Sequence, residues 1–452
     1  MVNYQAKNVL VLGLARSGAA VARLLAKQGA RVTVNDQKER EAFGSVPEEL
    51  ERLGIQVICG GHPAGIVGDH LDLLVKNPGI PYSALPIRRA LEIGIPVVTE
   101  IEVAYQFCRA PIIGITGSNG KTTTTSLTGE ILQTAGLRPV VAGNIGTALS
   151  DIVESVTPDQ WLVAELSSFQ LMGTVTFRPR IGALLNVYKA HLDYHGTMDK
   201  YIAAKSRLFM NQTASDVAVL NADQPTVMQV AASVPGRIFP FSLTQRLDEG
   251  VFVKDGSIVI RSNGQIHHVC RLCEIPLKGA HNLENVLAAA AISFAAGAAV
   301  QAIREGIRRF QGVEHRLEFV AEKNGVSYFN DSKATNAEAA TRAITSFTNP
   351  VVLIAGGLDR GTDFAELIPV FQNHVKAIVT LGQAADKLAA AAEKAGVRER
   401  RRANSIEEAV AIAKALAEPG DSVLLSPACA SWDMYSSFEE RGRIFKAAVH
   451  TM

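Results

Sequence analysis

Residues 111–123 read Pro111-Ile-Ile-Gly114-Ile-Thr-Gly117-Ser118-Asn119-Gly120-Lys121-Thr122-Thr123. An apolar run feeds a glycine loop, and the loop feeds a helix. That order points several backbone N–H groups at one spot, where the helix dipole also favours an anion. Lys121 is then placed to reach the β/γ-phosphates of a nucleotide, and the Thr122 hydroxyl to meet Mg²⁺. The spacing departs from the strict P-loop pattern, because Ile115 stands where the first glycine belongs. The bland alternative is a tight strand–helix turn with an exposed lysine. Gly-Lys-Thr at a helix start is the part that argues against it.

Outward from this loop, short β-branched runs alternate with helical patterns. Val9–Leu12, Val32–Asn35, Leu73–Val75, Ile112–Thr116, Trp161–Glu165, Ile181–Val187 and Val217–Asn221 read as strands, with helices at Ala19–Gln28 and Thr122–Ala135. Such alternation means βαβ units and parallel sheets. Between Phe241 and Arg271 the texture changes to short segments with turns at Asp255-Gly256 and Asn263-Gly264, expected as antiparallel ribbons. A further α/β block begins near residue 315, with strands at Val351–Ala355, Ala377–Leu381 and Ser422–Leu425. The fold class expected is α/β in three domains: a Rossmann-like 1–100, a P-loop ATPase 101–312 with a parallel sheet plus a small antiparallel part, and a Rossmann-like 313–452.

The 452 residues carry 45 Lys plus Arg against 44 Asp plus Glu, a balance that speaks against a nucleic-acid-coating or membrane-surface protein. Five cysteines, at 59, 108, 270, 273 and 429, form no disulfide framework and fit a reducing compartment. The N-terminus shows no secretory pattern. The longest uncharged apolar stretch, Val286–Val300, is too short to span a bilayer and reads as a buried helix. A cytoplasmic monomer is the expectation.

Other candidates for chemistry lie on both sides of the loop. Gly13-Leu-Ala15-Arg16-Ser17-Gly18 after a strand, with Asp36 ending the next, is close to a dinucleotide fingerprint, but Ala15 replaces the middle glycine. NAD is therefore one candidate among nucleotide diphosphates, and a plain first βα turn is the alternative. Glu165 ends a strand, the usual place for a carboxylate serving a metal beside a P-loop. His191 and His195 lack a third ligand at zinc-site spacing. Met198, Tyr201, Ile202, Lys205, Leu208 and Phe209 follow helical spacing, so Lys205 falls on an apolar stripe. It either snorkels or needs a partner or a changed charge state. His267-His-Val-Cys270-Arg-Leu-Cys273 reads as ordinary strand, and Arg398–Arg402 as solvated surface between a helix and a strand. Polar residues crowd Glu314-His315-Arg316, Asn330-Asp331-Ser332-Lys333-Ala334-Thr335-Asn336 and Ser426–Asp433, with Phe438 and Arg441 beyond. They suggest ligand contacts on loops, although Asp331 and Ser332 could instead cap a helix starting near Asn336.

Taken in order, GITGSNGKTTT, AELSSFQL, AHLDYHGT, DSKATN and SPACASWDMYSSFEERG resemble the Mur ligases of bacterial peptidoglycan synthesis over nearly the whole chain. The last two segments resemble the D-glutamate-adding branch rather than its sister ligases or folylpolyglutamate synthetase. The resemblance implies a ligase using ATP and Mg²⁺ to join D-glutamate to UDP-N-acetylmuramoyl-L-alanine. It places Arg16 and Ser17 at the diphosphate and Asp36 near the uracil. It assigns Gly117, Ser118, Asn119, Gly120, Lys121, Thr122 and Thr123, with Asn282, Asn285, His315, Arg316 and Asp331, to ATP. It assigns Thr122, Glu165, His191 and Lys205, the last as a carbamate, to metal. Asn144 and His191 would contact the UDP substrate. Lys333, Thr335, Ser431 and Phe438 would meet the transferred phosphate and D-glutamate, together with Arg360, which stands where some relatives carry lysine. Lys121, His191, Lys205 and Lys333 are the catalytic candidates.

Overall fold

The computed structural model describes residues 3–277 and 279–452, with the side chain of Asp193 set aside. Contacts divide the chain into two compact units, residues 1–310 and 311–452.

The first unit holds three sheets. The N-terminal one runs Gln56–Ile58, Arg31–Asn35, Asn8–Leu12, Leu73–Lys76, Val97–Thr99 in spatial order, all parallel. The second runs Arg237–Ile238, Val217–Leu220, Ile181–Leu184, Ile112–Thr116, Trp161–Glu165, Pro139–Gly143, again all parallel. Ile112–Thr116 is buried at all five positions, as a central parallel strand covered on both faces must be. Helix Lys121–Thr134 packs on it, and beside that helix Ala280–Ala295, whose residues 286–293 are all buried, packs on Ile181–Leu184 and Val217–Leu220. An all-round apolar helix of that kind belongs in a core.

The Phe241–Arg271 segment forms a four-stranded sheet. Its two hairpins turn at Asp255-Gly256 and Asn263-Gly264, where both central residues have positive φ (49° and 71°, 51° and 76°). That is the primed turn whose twist suits a tight hairpin. Its short first strand, Phe241–Ser242, pairs parallel, so the sheet is mixed rather than purely antiparallel.

The second unit has one six-stranded sheet in the order Glu318–Lys323, Val326–Asn330, Ser422–Leu425, Val351–Gly356, Val375–Leu381, Glu399–Arg402. Only the first pair is antiparallel.

Four local expectations change. The apolar run Ile181–Val187 stays in the ladder only to Leu184, because residues beyond it pair with the phosphate loop instead. The stretch Val286–Val300 is split between two helices, the second starting at Val300. The basic run is itself an edge strand, Glu399–Arg402, whose arginines keep it soluble. The helix Ala337–Ile344 is capped by Asn336, whose side chain accepts the Ala339 N–H at 2.8 Å, and not by Asp331 or Ser332. Among the described residues no helix is long and apolar enough to cross a membrane.

Candidate active site

The glycine loop closes on itself. Lys121 Nζ donates to the carbonyls of Gly117 and Ser118, both at 2.9 Å. Gly120 sits at φ 78° at the helix N-cap, and a Cβ there would lie 2.1 Å from Asn285 Oδ1. The loop therefore needs glycine for conformation and for space. Asn285 also lies 3.4 Å from the Thr124 hydroxyl and donates to Asn282 Oδ1, so Asn285 stands against the loop and Asn282 against Asn285. Thr122 and Thr123 are buried in the first turn.

Beneath the loop, Asn186 accepts the Asn119 N–H at 2.8 Å and donates back to the Asn119 carbonyl at 3.2 Å. The Ser118 hydroxyl lies 3.1 Å from Tyr201 Oη. Neither Asn186 nor Tyr201 stands out as a site residue in the sequence.

Lys205 is 1% exposed, so the amine points inward as its helical stripe indicated. Its Nζ donates to the Gly117 carbonyl at 2.8 Å, the same oxygen Lys121 uses, and sits 4.6 Å from the Tyr201 ring centroid. Burial, followed by repulsion from Lys121, pushes its pKa well below the usual lysine value.

Glu165 pairs in register with Ile115 at the mouth of the loop. Its Oε1 accepts from Asn144 Nδ2 at 2.8 Å. Its Oε2 is buried with no hydrogen-bond partner. A buried carboxylate oxygen is costly when unpaired, and a hard cation is the ligand that satisfies it. The Glu165 carboxylate thus fits Mg²⁺. His191 has left-handed backbone (φ 54°) and packs edge-on to Phe169 and Tyr201. His195 Nε2 instead meets the Ser168 hydroxyl at 3.0 Å inside the core.

The N-terminal turn joins the same region. Arg16 Nη1 donates to the Gly146 carbonyl, in the loop that also carries Asn144. Asp36 accepts the N–H of Leu14 at 2.7 Å and of Lys38 at 2.9 Å, so its carboxylate shapes the first βα turn. Ser17 accepts from Asn77 Nδ2 at 3.2 Å, and Asn77 is a further residue the sequence did not single out.

The second unit gathers its own cluster. Arg441 is 1% exposed and donates to Ser332 Oγ (3.0 Å), to the carbonyls of Ser332 (2.9 Å) and Cys429 (3.1 Å), and to that of Gly356 (3.3 Å). One guanidinium so ties together the three loops that carry Lys333 and Thr335, Arg360, and Ser431. Lys333 Nζ lies 5.7 Å from the Phe438 ring centroid, and His315 packs edge-on to that ring. The Lys333 N–H donates to the His315 carbonyl at 3.0 Å. His315, Leu317 and Ala428 have positive φ, a concentration of strain typical of a functional site. Asp331 accepts from Ser426 Oγ and the Leu317 N–H, and burial raises its pKa to about 7. Arg316 adjoins it in a turn closed by its own N–H to Val313. The Ser431 hydroxyl is buried without a partner.

A strand–glycine-loop–helix phosphate site, a metal-ready carboxylate and a buried lysine define a nucleotide-phosphate-binding protein of the P-loop type. The sequence matches the Mur ligase middle domain over residues 115–293, the Mur ligase glutamate ligase domain over 315–429, and the MurD-like N-terminal domain over 7–99. The chain belongs to the Mur ligase family. It is 53% identical over 450 residues to the UDP-N-acetylmuramoylalanine--D-glutamate ligase of Geobacillus kaustophilus, covering 99% of this chain and 98% of that one. It is 50% identical to the Bacillus cytotoxicus enzyme of the same name, covering 100% and 99%. Solved structures share the fold at lower identity. MurF from Acinetobacter baumannii matches with a TM-score of 0.59 at 19% identity, covering 92% of this chain and 91% of that one. The UDP-N-acetylmuramate-alanine ligase MurC from Thermotoga maritima matches with 0.57 at 18%, covering 98% and 99%.

Proposed function

We infer that this chain is an ATP-dependent ligase that joins D-glutamate to UDP-N-acetylmuramoyl-L-alanine in peptidoglycan precursor synthesis. The observation that carries the reading is the convergence of Lys121 and the buried Lys205 on one loop carbonyl, which a plain nucleotide-binding turn does not need. Full-length relatives of that name support the choice of substrates.

The alanyl carboxylate attacks the γ-phosphate of ATP, giving an acyl phosphate and ADP. The D-glutamate amine, having lost a proton to a base, attacks the acyl carbon, and the tetrahedral intermediate expels phosphate. Oxide is a hopeless leaving group from a carboxylate and phosphate a good one, which is why ATP is consumed. The chain's task is positioning and charge neutralisation. Gly117 to Thr123 cradle the phosphates, and Asn282, Asn285, His315, Arg316 and Asp331 serve the adenosine. Thr122, Glu165, His191 and Lys205, the last as a carbamate, would hold Mg²⁺, which would supply positive charge to the phosphates. Arg16, Ser17, Asp36, Asn144 and His191 take the UDP substrate. Lys333, Thr335, Arg360, Ser431 and Phe438 take the transferred phosphate and D-glutamate. We place the functional domain cuts near residues 100 and 312 and the enzyme in the cytoplasm as a monomer.

Phosphate release from ATP with UDP-N-acetylmuramoyl-L-alanine is expected with D-glutamate and at background with L-alanine, L-glutamate or L-lysine. Release with another amine instead, or with none from folded protein that still binds ATP, refutes the named reaction. Glu165→Gln keeps the shape and removes the charge. The Mg²⁺ concentration for half-maximal phosphate release should rise about 10- to 100-fold, the scale of losing a metal-site partner. An unchanged Mg²⁺ requirement removes Glu165 from the metal site.

A further inference from the structure

Trp432 is a large aromatic left 67% exposed, on the loop that also carries Ser431. The Arg360 guanidinium lies over its ring, 5.1 Å from the centroid. The two loops are fixed to each other by main-chain bonds, Leu358 N–H to the Ala430 carbonyl and Gly356 N–H to the Pro427 carbonyl, both at 2.9 Å. The neighbouring carboxylates do not pair with Arg360, although Asp433 Oδ1 is buried without a hydrogen-bond partner. Asp359 pairs with Lys387 at 2.8 Å and accepts the Gly361 N–H, while Asp433 accepts the Gln383 N–H at 3.0 Å. Among the described residues Arg360 has no carboxylate partner.

A π-face attracts a cation without consuming its hydrogen-bond donors. Arg360 held on an indole therefore keeps its planar fork open for a carboxylate arriving from outside, which the fork binds in a bidentate manner. The buried, unpartnered Ser431 hydroxyl is a second group on these loops awaiting a ligand. We propose that Trp432 is a positioning residue that holds Arg360 ready for a carboxylate of the incoming amino acid. This rests on the reading of the chain as a D-glutamate ligase and adds to it a residue that acts on substrate only through Arg360.

The test is steady-state phosphate release by the full-length enzyme, with D-glutamate, ATP and the UDP substrate varied in turn. Wild type is assayed first, and failure to use D-glutamate there refutes the parent reading before any variant is made. W432L should raise the KM for D-glutamate about three- to fivefold, the scale of an exposed cation–π contact. Its kcat and the KM for ATP and the UDP substrate should stay within twofold. W432F should recover most of the loss, because an aromatic face is restored. In an R360A background the leucine substitution should add nothing. A W432L enzyme with the wild-type KM for D-glutamate overturns the proposal. So does a phenylalanine variant no better than leucine, or the same fold-loss with Arg360 already removed.

Discussion

Lys121→Ala is expected to lose phosphate release by about 10³-fold or more, the upper range for removing one preorganised donor at a developing charge. Two consequences of the substitution compete as explanations, and their sizes differ. The loop loses two hydrogen bonds from Nζ to the Gly117 and Ser118 carbonyls. At about 1.5–3 kcal/mol for bonds from a charged group, that cost falls on the local loop fold. Much of it is spared, because the buried Gly117 carbonyl keeps its bond from Lys205 and Ser118 is only half-buried, where water can reach its carbonyl. Alanine is also the best residue for the first turn of the helix, so Lys121–Thr134 should survive. The charge has no such substitute. When the γ-phosphoryl group moves, negative charge develops between two oxygens, and a fixed ammonium stabilises it without reorganising. The defect should therefore appear in kcat far more than in thermal stability. Near-normal turnover by a folded Lys121→Ala enzyme would falsify the phosphate-loop assignment.

The same loop shows what a sequence discloses and what it withholds. Gly117-Ser-Asn-Gly120-Lys121-Thr122 is local: each functional group is fixed by neighbours a few residues away, so spacing alone announces it. The inward face of Lys205 is legible for the same reason, since helical period decides which side a residue faces. The hairpins at Asp255-Gly256 and Asn263-Gly264 follow from turn chemistry. What spacing does not encode is the long-range hydrogen bond. Asn186 reaches the loop across 67 positions and Tyr201 across 83, and neither residue type is unusual where it stands. Ile181–Val187 looks like one apolar strand, yet its end leaves the ladder so that the Ser118 N–H can reach the Asn186 carbonyl. Arg441 was visible beyond the last motif, but its role as the clamp of three loops exists only after the second sheet brings those loops together. Asp36 also accepts two main-chain N–H groups that shape the first βα turn, a duty its place at the strand's end does not announce.

Lys205→Ala is the second substitution with a large expected effect, a near-complete loss that short carboxylic acids such as acetate or formate partly restore. The argument begins with an electrostatic misfit. An ammonium at 1% exposure, sharing one carbonyl with another lysine and paired with no carboxylate among the described residues, is held in its least favourable form. Its depressed pKa enlarges the fraction of free amine near neutral pH, and the free amine is the form that adds CO₂. Carbamylation forms an N–C bond, releases one proton and converts a neutral group into an anion. Repulsion between Lys121 and Lys205 then becomes attraction, and the carbamate oxygens become hard ligands suited to Mg²⁺. If Lys205 carries that carbamate, alanine removes its anion and leaves a cavity, into which a small carboxylate can carry the missing charge. Two further readings separate this from mere loss of packing. Enzyme prepared free of CO₂ should be slow and recover on adding bicarbonate, and ¹³C-bicarbonate should give a carbamate resonance in wild type that Lys205→Ala lacks. Arginine at this position keeps the charge and bulk but cannot take up CO₂, so Lys205→Arg should be inactive and unresponsive to bicarbonate. A fully active Lys205→Ala enzyme, or wild type indifferent to CO₂ and silent in the carbon spectrum, would leave Lys205 as a buried packing residue and nothing more.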